Sequence, residues 1–448
     1  MTAQVAPTKS NASQAPTKFK GRWRNVFSLA FAQIVDGSEG GLITALFPVI
    51  REALGLSLSS LGILVSVSRV VAIVFGPLWG MAADRFSRKK ILVFVTGVWG
   101  IWTAIAGLSQ SFTMLLILYG IAAIGTVASW PIIQAVVSDM FASDERGKAM
   151  GILGGITALI AVVSTPLIGM LANVPDGWRI GFYILGGLSI LSGLIILAFF
   201  KEPPRGASEE EIADIADEVE EHYTFSVDDL KKLFQIRSFV YLTIARFLWP
   251  ALILFSFGIT YLVDAYGFET DQATGVFAIW ILGFVVGSFG GGFLGDRIDR
   301  RDPKLGRIKY MQVISVALAI LSYLGMQVQW GSQGVFFLIY FLFGLAVGLP
   351  SAGVTRPLLA AVTPPELRSS AFAFLLSVAE AIATIVFGLL AGYLGDLIGI
   401  KTVFLVMMTM LTLAQTAYWF LFYKSYPKDV ENLHNLMAQR RQEISAAN

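Results

Sequence analysis

The sequence predicts an all-α polytopic membrane protein whose 12 transmembrane helices form two pseudo-symmetric six-helix bundles. Composition is the first reason: 55% of the 448 residues are hydrophobic and 14% are charged, whereas soluble domains carry about 25% charged residues. Long segments such as 91–134 also contain no charged residue, and a spanning helix needs about 20 mostly apolar residues. Finally, landmarks of the first half recur in the second.

Unbroken apolar runs locate the helices. The first six are expected near residues 25–50, 59–83, 90–109, 112–138, 148–172 and 179–200. Six more are expected near residues 238–262, 271–295, 308–328, 332–358, 369–395 and 401–423. A membrane β-barrel would instead show alternating segments of about 10 residues. The predicted domains are an N-terminal tail (1–21), a first bundle (22–200), a linker (201–237), a second bundle (238–425) and a C-terminal tail (426–448).

Two polar segments flank or interrupt the bundles. The N-terminal tail is rich in proline, serine and threonine, and we expect it to be disordered. In the linker, Ser208 with Glu211 forms a capping box, and Ser226 with Asp229 repeats it. Apolar residues at helical spacing after each box predict an acidic amphipathic helix at the membrane surface. A regulatory or partner-docking role for this linker stays open.

The distribution of lysine and arginine predicts the orientation. These residues concentrate on the side that holds both termini, and Arg51, Arg179 and Lys401 are the exceptions on the opposite side. Because cytoplasmic loops are enriched in basic residues, we expect both termini to be cytoplasmic, in an inner or plasma membrane. No cleavable signal is expected before the first span. The formal net charge of +2 therefore reflects topology, and no nucleic-acid partner is expected.

Enzyme chemistry finds little support in the sequence. The chain contains no cysteine, and its two histidines lie in the linker and the C-terminal tail. No catalytic triad, metal-ligand cluster or phosphate-binding loop stands out. We therefore predict no catalytic residue, no metal site and no cofactor.

A motif occurs twice, each time where the second helix of a half ends. The first copy reads GMAADRFSRKK and begins at Gly80, and the second reads GFLGDRIDRR and begins at Gly292. Gly125 and Pro131 of the fourth helix likewise recur as Gly344 and Pro350 in the tenth. The halves are thus repeats of one six-helix unit, an arrangement found in transporters.

Over residues 22–425 the sequence resembles the major facilitator superfamily. The resemblance implies alternating access and a cytoplasmic latch, in which Asp84 sits near the start of helix 11 and arginines form ionic contacts. The latch residues expected from both motif copies and the following loops are Gly80, Asp84, Arg85, Arg88, Asp296, Arg297, Arg146 and Arg368. Basic residues that only anchor the topology are the alternative reading.

Several charged residues lie well inside predicted spans, where burial is costly and a cavity or partner is usual. They are the candidates for proton coupling or substrate binding: Asp36, Glu39, Arg69, Arg246 and Glu380. Asp36 and Glu39 share one face of helix 1 because they are three residues apart. A structural ion pair, for example Arg69 with Glu380, is the alternative.

The resemblance also implies that helices 1, 4, 7 and 10 line a central cavity. The candidates there are Tyr119, Trp130, Trp249, Tyr261 and Arg356. A proline follows each tryptophan and frees a carbonyl in mid-span, which is tolerated where the backbone lines a cavity. Tyr119 stands where many proton-coupled members carry an arginine.

These features predict a secondary transporter for a small organic anion, coupled to protons as a symporter. The sequence Asp36-Gly37-Ser38-Glu39 resembles helix 1 of aromatic-acid/proton symporters. A proton-driven exporter of lipophilic drugs, cations or lipid-like molecules is the alternative. The expected partners are the substrate, protons and the bilayer, and the chain is expected to be a monomer.

Overall fold

The computed structural model describes residues 21–141, 143–204, 227–249, 251–364 and 367–447. The first half forms six long helices, each at a predicted position. They are α1 (Arg22–Leu54), α2 (Leu58–Arg85), α3 (Arg88–Leu92, Val93–Val98 and Gly100–Ala106), α4 (Phe112–Met140), α5 (Ser143–Gly169) and α6 (Gly177–Phe199).

The second half repeats the pattern, and four of its helices are built from several segments. They are α7 (Arg237–Phe247 and Ala251–Tyr266), α8 (Thr270–Arg301), α9 (Gly306–Met326), α10 (Gln333–Pro350, Ser351–Thr355 and Arg356–Val362), α11 (Arg368–Ala373, Phe374–Ala379 and Glu380–Ile398) and α12 (Ile400–Phe404, Leu405–Met410, Leu411–Tyr418, Trp419–Leu421 and Phe422–Ala447).

Eleven of the twelve helices, α2 to α12, are long and apolar enough to cross a membrane, by length and composition. The twelfth is α1, whose 33 residues span about 50 Å at a rise of ~1.5 Å per residue. Its mean hydropathy is lowered by Gln33, Asp36 and Glu39 near mid-helix. A helix of spanning length that keeps polar groups at its centre needs partners for them inside the protein.

A short linker helix, Val227–Gln235, precedes α7 and packs on the second half. Leu233 is fully buried, and the ring of Phe234 lies edge-on against those of Phe239 and Phe374. The predicted acidic helix after Ser208 and the N-terminal tail up to residue 20 lie outside the described residues. We call the membrane side that carries this helix the linker side, and the opposite one the far side.

Small residues let helices of the second half approach closely. Glycines recur at every fourth position of α8, at 283, 287, 291 and 295, and each lies against the backbone of α10. Any side chain at these positions would collide with backbone carbonyls of α10. The pattern matches the small-residue interfaces of membrane helices, and it fixes α10 as a rigid wall of the second half.

The halves meet at the far side. A Cβ atom on Gly62 of α2 would lie 2.5 Å from the carbonyl oxygen of Gly388 in α11, so only glycine fits this crossing. At the linker end of the same helix, Gly76 and Gly80 have no atom within 4 Å of such a Cβ position. Hence α2 contacts α11 closely at its far-side end and diverges from it toward the linker side.

Candidate functional site, a cavity between the two halves

A cavity of about 580 Å³ lies between the halves, toward the linker side, and most of its wall belongs to the second half. Arg69 of α2 and Trp130 of α4 reach it from the first half. The second half supplies the rest of the wall: Leu242, Ala245, Arg246, Trp249, Leu252, Phe255, Phe284, Met311, Val347, Pro350, Ser351, Thr355, Arg356, Leu376, Ser377, Glu380, Thr384, Gln415 and Trp419. This volume is typical of a pocket that holds a small molecule.

The charged groups of the wall are three arginines and one glutamate. Arg246 of α7 forms an ion pair with Glu380 of α11. Within the described residues, neither Arg69 nor Arg356 has a carboxylate at ion-pair distance. The wall therefore carries two uncompensated guanidinium groups, one from each half, and favours an anion.

The pairing of Arg69 with Glu380, considered from the sequence, is corrected by the structure. Glu380 instead pairs with Arg246, because both residues belong to the second half and face one another across the cavity wall. Arg69 is exposed and stays available to a molecule in the cavity.

Helix α7 breaks beside the cavity. The backbone N–H of Trp249 donates to the carbonyl of Arg246 at 3.2 Å, so the carbonyl of Ala245 loses its usual helical partner. The side-chain amide of Gln415 in α12 donates to that free carbonyl at 2.8 Å. The break follows from Pro250, which lies outside the described residues and cannot donate a backbone hydrogen bond. The break thus lies in the cavity wall, next to the position of the mid-span proline in the sequence.

Two π-helical turns place charged residues of the site. Ser351–Thr355 immediately precedes Arg356 in α10, and Phe374–Ala379 immediately precedes Glu380 in α11. Such turns widen the helix locally, rotate the residues that follow, and are frequent at functional sites. The sequence offered no signal for either turn, although both charged residues were candidates.

The carboxylates of α1 lie inside the first half. The hydroxyl of Ser129 in α4 donates to Asp36, and the hydroxyl of Ser189 in α6 donates to Glu39. Neither carboxylate is among the residues that line the cavity. Ser129 is nevertheless the sequence neighbour of Trp130, which does line it, so the hydrogen-bond partner of Asp36 adjoins a wall residue in α4.

The aromatic candidates divide between wall and core. Trp130 is 51% exposed, and both it and Trp249 line the cavity. Tyr119 is half-buried and is not among the residues that line the cavity. The assignment of Tyr261 to the cavity is corrected: it is fully buried, donates to the carbonyl of Met326 and stacks on Phe404. Beyond the break, α7 turns this face toward α9 and α12.

Residues of the first motif copy form their polar contacts within the first half. Arg88 forms an ion pair with Asp139 of α4, and its backbone N–H donates to Glu202 at 2.8 Å. The hydroxyl of Ser87 also donates to Glu202. Although burial opposes ionisation, these hydrogen bonds from Ser87 and the backbone lower the pKa of Glu202. A charged Glu202 thus anchors the loop after α2 to the end of α6.

The other latch candidates are accounted for as follows. Arg85 is exposed, and Gly80 faces open space. The side chains of Asp84 and Arg146 lie outside the described part of the chain. In the second copy, Asp296 pairs with Arg307 of α9 at 2.9 Å, Arg297 is exposed, and Arg368 donates to the carbonyl of Thr363 at 3.2 Å.

Polar contacts between the halves lie at the far side. Arg51 of α1 donates to Asp264 of α7 at 2.7 Å. Asp396 of α11 accepts hydrogen bonds from the backbone N–H groups of Leu58 and Ser59, at 2.8 and 3.0 Å. It thereby caps the N-terminus of α2, where orphan N–H groups and the helix dipole favour a carboxylate. The sequence placed Arg51 on the side opposite the termini, but it predicted neither the pairing of Arg51 with Asp264 nor the cap formed by Asp396.

The model of the Major Facilitator Superfamily matches residues 29–375 of the chain. The chain belongs to this superfamily. It is accordingly an integral membrane transporter and not an enzyme. The predicted fold of two six-helix bundles is confirmed.

Individual relatives are distant. The probable sulfoacetate transporter SauU of Cupriavidus necator is 28% identical over 282 residues, which cover 62% of this chain and 65% of that protein. The hexuronate transporter of Bacillus subtilis is 24% identical over 296 residues, covering 65% and 68%. The chain thus spans about two thirds of each relative's length.

Solved structures share the fold at low identity. A bacterial homologue of the human lysosomal transporter Spinster, in an inward-facing and unoccupied conformation, superimposes with a TM-score of 0.75. Its sequence is 18% identical, and the match covers 94% of this chain and 99% of that one.

Proposed function

We propose that this transporter carries a small organic anion by proton-coupled symport. The observation behind the proposal is the cavity wall, in which Arg69 and Arg356 have no acidic partner among the described residues. Guanidinium groups bind carboxylates and sulfonates through paired, charge-assisted hydrogen bonds. The relatives named for sulfoacetate and hexuronate transport agree with this substrate class.

Proton coupling is assigned to α1. Asp36 and Glu39 are held by serine hydroxyls within the first half, in a helix of spanning length. A carboxylic acid in such a place can take up and release a proton as its surroundings change. Asp36 is the better candidate, because its partner Ser129 adjoins Trp130 in the cavity wall.

Alternating access is assigned to rocking of the halves about this cavity. In the present state, the far side is closed by contacts such as Gly62 with Gly388, and the cavity lies toward the linker side. With the linker side cytoplasmic, as the basic residues indicate, this is an inward-facing state. The motif residues Asp84, Arg85 and Arg88 would form the linker-side latch in the opposite state.

Export of lipophilic cations is the second candidate. The wall contains several aromatic side chains, among them Trp130, Trp249, Phe255 and Phe284. Aromatic faces attract cations, and Glu380 could supply the counter-charge if Arg246 released it.

Transport in proteoliposomes distinguishes anion symport from cation export. A panel of organic acids, including sulfoacetate and glucuronate, is compared with lipophilic cations under an imposed pH gradient. Uptake of an acid with the proton gradient, lost in Asp36→Asn and retained in the far-side variant Asp176→Asn, supports symport. Movement of a cation against the proton flow would overturn the proposal, and transport of an acid that ignores the gradient would remove the coupling role of Asp36.

A further inference from the structure

A face of α12 forms part of the cavity wall. Gln415 and Trp419 are four residues apart and therefore lie on one side of the helix. Both line the cavity, although their exposed fractions are only 1% and 2%. They reach the cavity where α7 is broken, and Gln415 bonds the carbonyl that the break releases.

These two side chains keep unused hydrogen-bonding atoms. Within the described residues, Gln415 Oε1 and Trp419 Nε1 have no hydrogen-bond partner, and neither has Nε of the adjacent wall residue Arg246. Buried polar atoms are costly to leave unpaired. Three residues of the cavity wall thus contain one acceptor and two donors without a partner among the described residues, and a bound molecule could pair with them if the wall adjusts around it.

The orientation of these groups is fixed before any molecule binds. The ring of Trp419 stacks on Phe422, with centroids 4.6 Å apart and planes at 28°. The amide of Gln415 is held through its nitrogen by the carbonyl of Ala245 at 2.8 Å, which leaves the oxygen free. A site whose donors and acceptors are already oriented loses little entropy on binding.

We infer that the cavity contains a hydroxyl-binding subsite, formed by Gln415 Oε1 and Trp419 Nε1, and that the substrate is a hydroxylated organic anion. A hydroxyl group can donate to the glutamine oxygen and accept from the indole N–H at once. Its acidic group would lie at Arg69 and Arg356, which have no acidic partner in the part of the chain that the structure describes. The inference that the substrate is an anion rests on the proposed function. The inference that it carries a hydroxyl group rests on the two α12 residues.

Matched six-carbon probes test the two parts separately. Calorimetric titration of the purified protein compares gluconate with hexanoate and glucarate with adipate, and includes uncharged glucitol. Within each pair the charge is constant and only the hydroxyl groups differ. The variant Trp419→Phe removes the indole N–H and keeps an aromatic ring. Trp178→Phe is the control, because Trp178 is a buried α6 residue with an unpaired Nε1 that does not line the cavity.

The wild type should prefer the hydroxylated member of each pair. Trp419→Phe should reduce that preference roughly 3- to 10-fold, the value of one neutral hydrogen bond. Adipate affinity should be unchanged, which also reports an intact fold, and Trp178→Phe should behave as wild type.

The other possible outcomes each contradict the hydroxyl-binding subsite, the anionic substrate, or both. Equal affinity for both members of a pair, or a preference that Trp419→Phe leaves intact, would overturn the subsite while the anion proposal stands. Binding of glucitol alone, weakened by Trp419→Phe, would keep the subsite and remove the anion. Failure of every probe to bind the wild type would overturn both.

Discussion

Arg51 at the end of α1 and Asp264 near the end of α7 form an ion pair that joins the two halves at the far side, with one N–O distance of 2.7 Å. The side chains are 26% and 18% exposed. Together with the cap that Asp396 places on α2, this pair holds the far side closed. In the proposed rocking of the halves, such contacts would break when the far side opens, and they would therefore set the balance between the two states.

Replacing Asp264 with Asn should therefore favour the far-side-open state. A partly exposed pair contributes about 1 kcal/mol, which corresponds to roughly a 5-fold shift in population. Because the chain has no cysteine, Ser66→Cys provides a single reporter between α2 and α11. Labelling by an impermeant maleimide from the far side should accelerate in the Asp264→Asn background. Asp176→Asn is the control, since Asp176 pairs with Arg179 of the same half; equal acceleration there would contradict a specific role for Asp264.

The glycine crossing makes a second prediction. Gly62→Val would place a side chain against the backbone of Gly388, and overpacking of this kind costs about 1–3 kcal/mol. The closed far side should become unfavourable, and Ser66→Cys should label from that side. A Cβ atom at Gly76 on the same helix would meet no atom within 4 Å, so Gly76→Val should leave labelling unchanged. Similar labelling in both variants would show that the crossing does not control closure.

The ion pair in the cavity wall gives a third prediction. Glu380→Gln leaves Arg246 without its carboxylate, in a wall where the two side chains are 20% and 29% exposed. We expect a loss of about 1–2 kcal/mol of stability, less than the ~3–5 kcal/mol of a fully buried pair. The double variant Arg246→Gln with Glu380→Gln should recover part of it, which thermal unfolding of the wild type and both variants would measure. A double variant less stable than Glu380→Gln alone would argue against this pairing.

The loop anchor predicts a pH dependence. The pKa of Glu202 is lowered from its ordinary 4.5 in the folded protein. Its ionised form therefore stabilises the fold at pH values above 4.5, and this contribution is lost as the pH falls through the lowered pKa. The difference in unfolding temperature between wild type and Glu202→Gln should be constant from pH 7 to pH 5 and shrink at more acidic pH. A difference that grows on acidification would reverse the assigned sign.

Much of the fold follows from hydropathy and the duplicated motif. Spans as long as α4 or α8 are fixed by uninterrupted apolar residues, and the repeat of Gly80 as Gly292 relates the halves. Within the site, the charges at Arg69, Arg246, Arg356 and Glu380 could be chosen because charge within a span is rare.

Sequence patterns could not predict which neighbouring helix or cavity each side chain faces. Helical periodicity puts Asp36 and Glu39 on one face of α1, but whether that face meets α4, α6 or the cavity depends on tertiary packing. The π-helical turns before Arg356 and Glu380 shift register without a sequence signal. Gln415 and Trp419 line the cavity where α7 is broken. Tyr261, which lies beyond this break, packs away from the cavity.

The central proposal is that the anion binds Arg69 and Arg356, one from each half, which have no acidic partner among the described residues. Its most direct test is the affinity of the purified protein for the transported acid, compared among wild type, Arg69→Gln and Arg356→Gln. Arg300→Gln, an exposed residue at the linker end of α8, serves as the control. Loss of a charge-assisted hydrogen bond should weaken binding roughly 10- to 100-fold in each cavity variant, while Arg300→Gln binds as wild type. Unchanged affinity in both cavity variants would contradict the account.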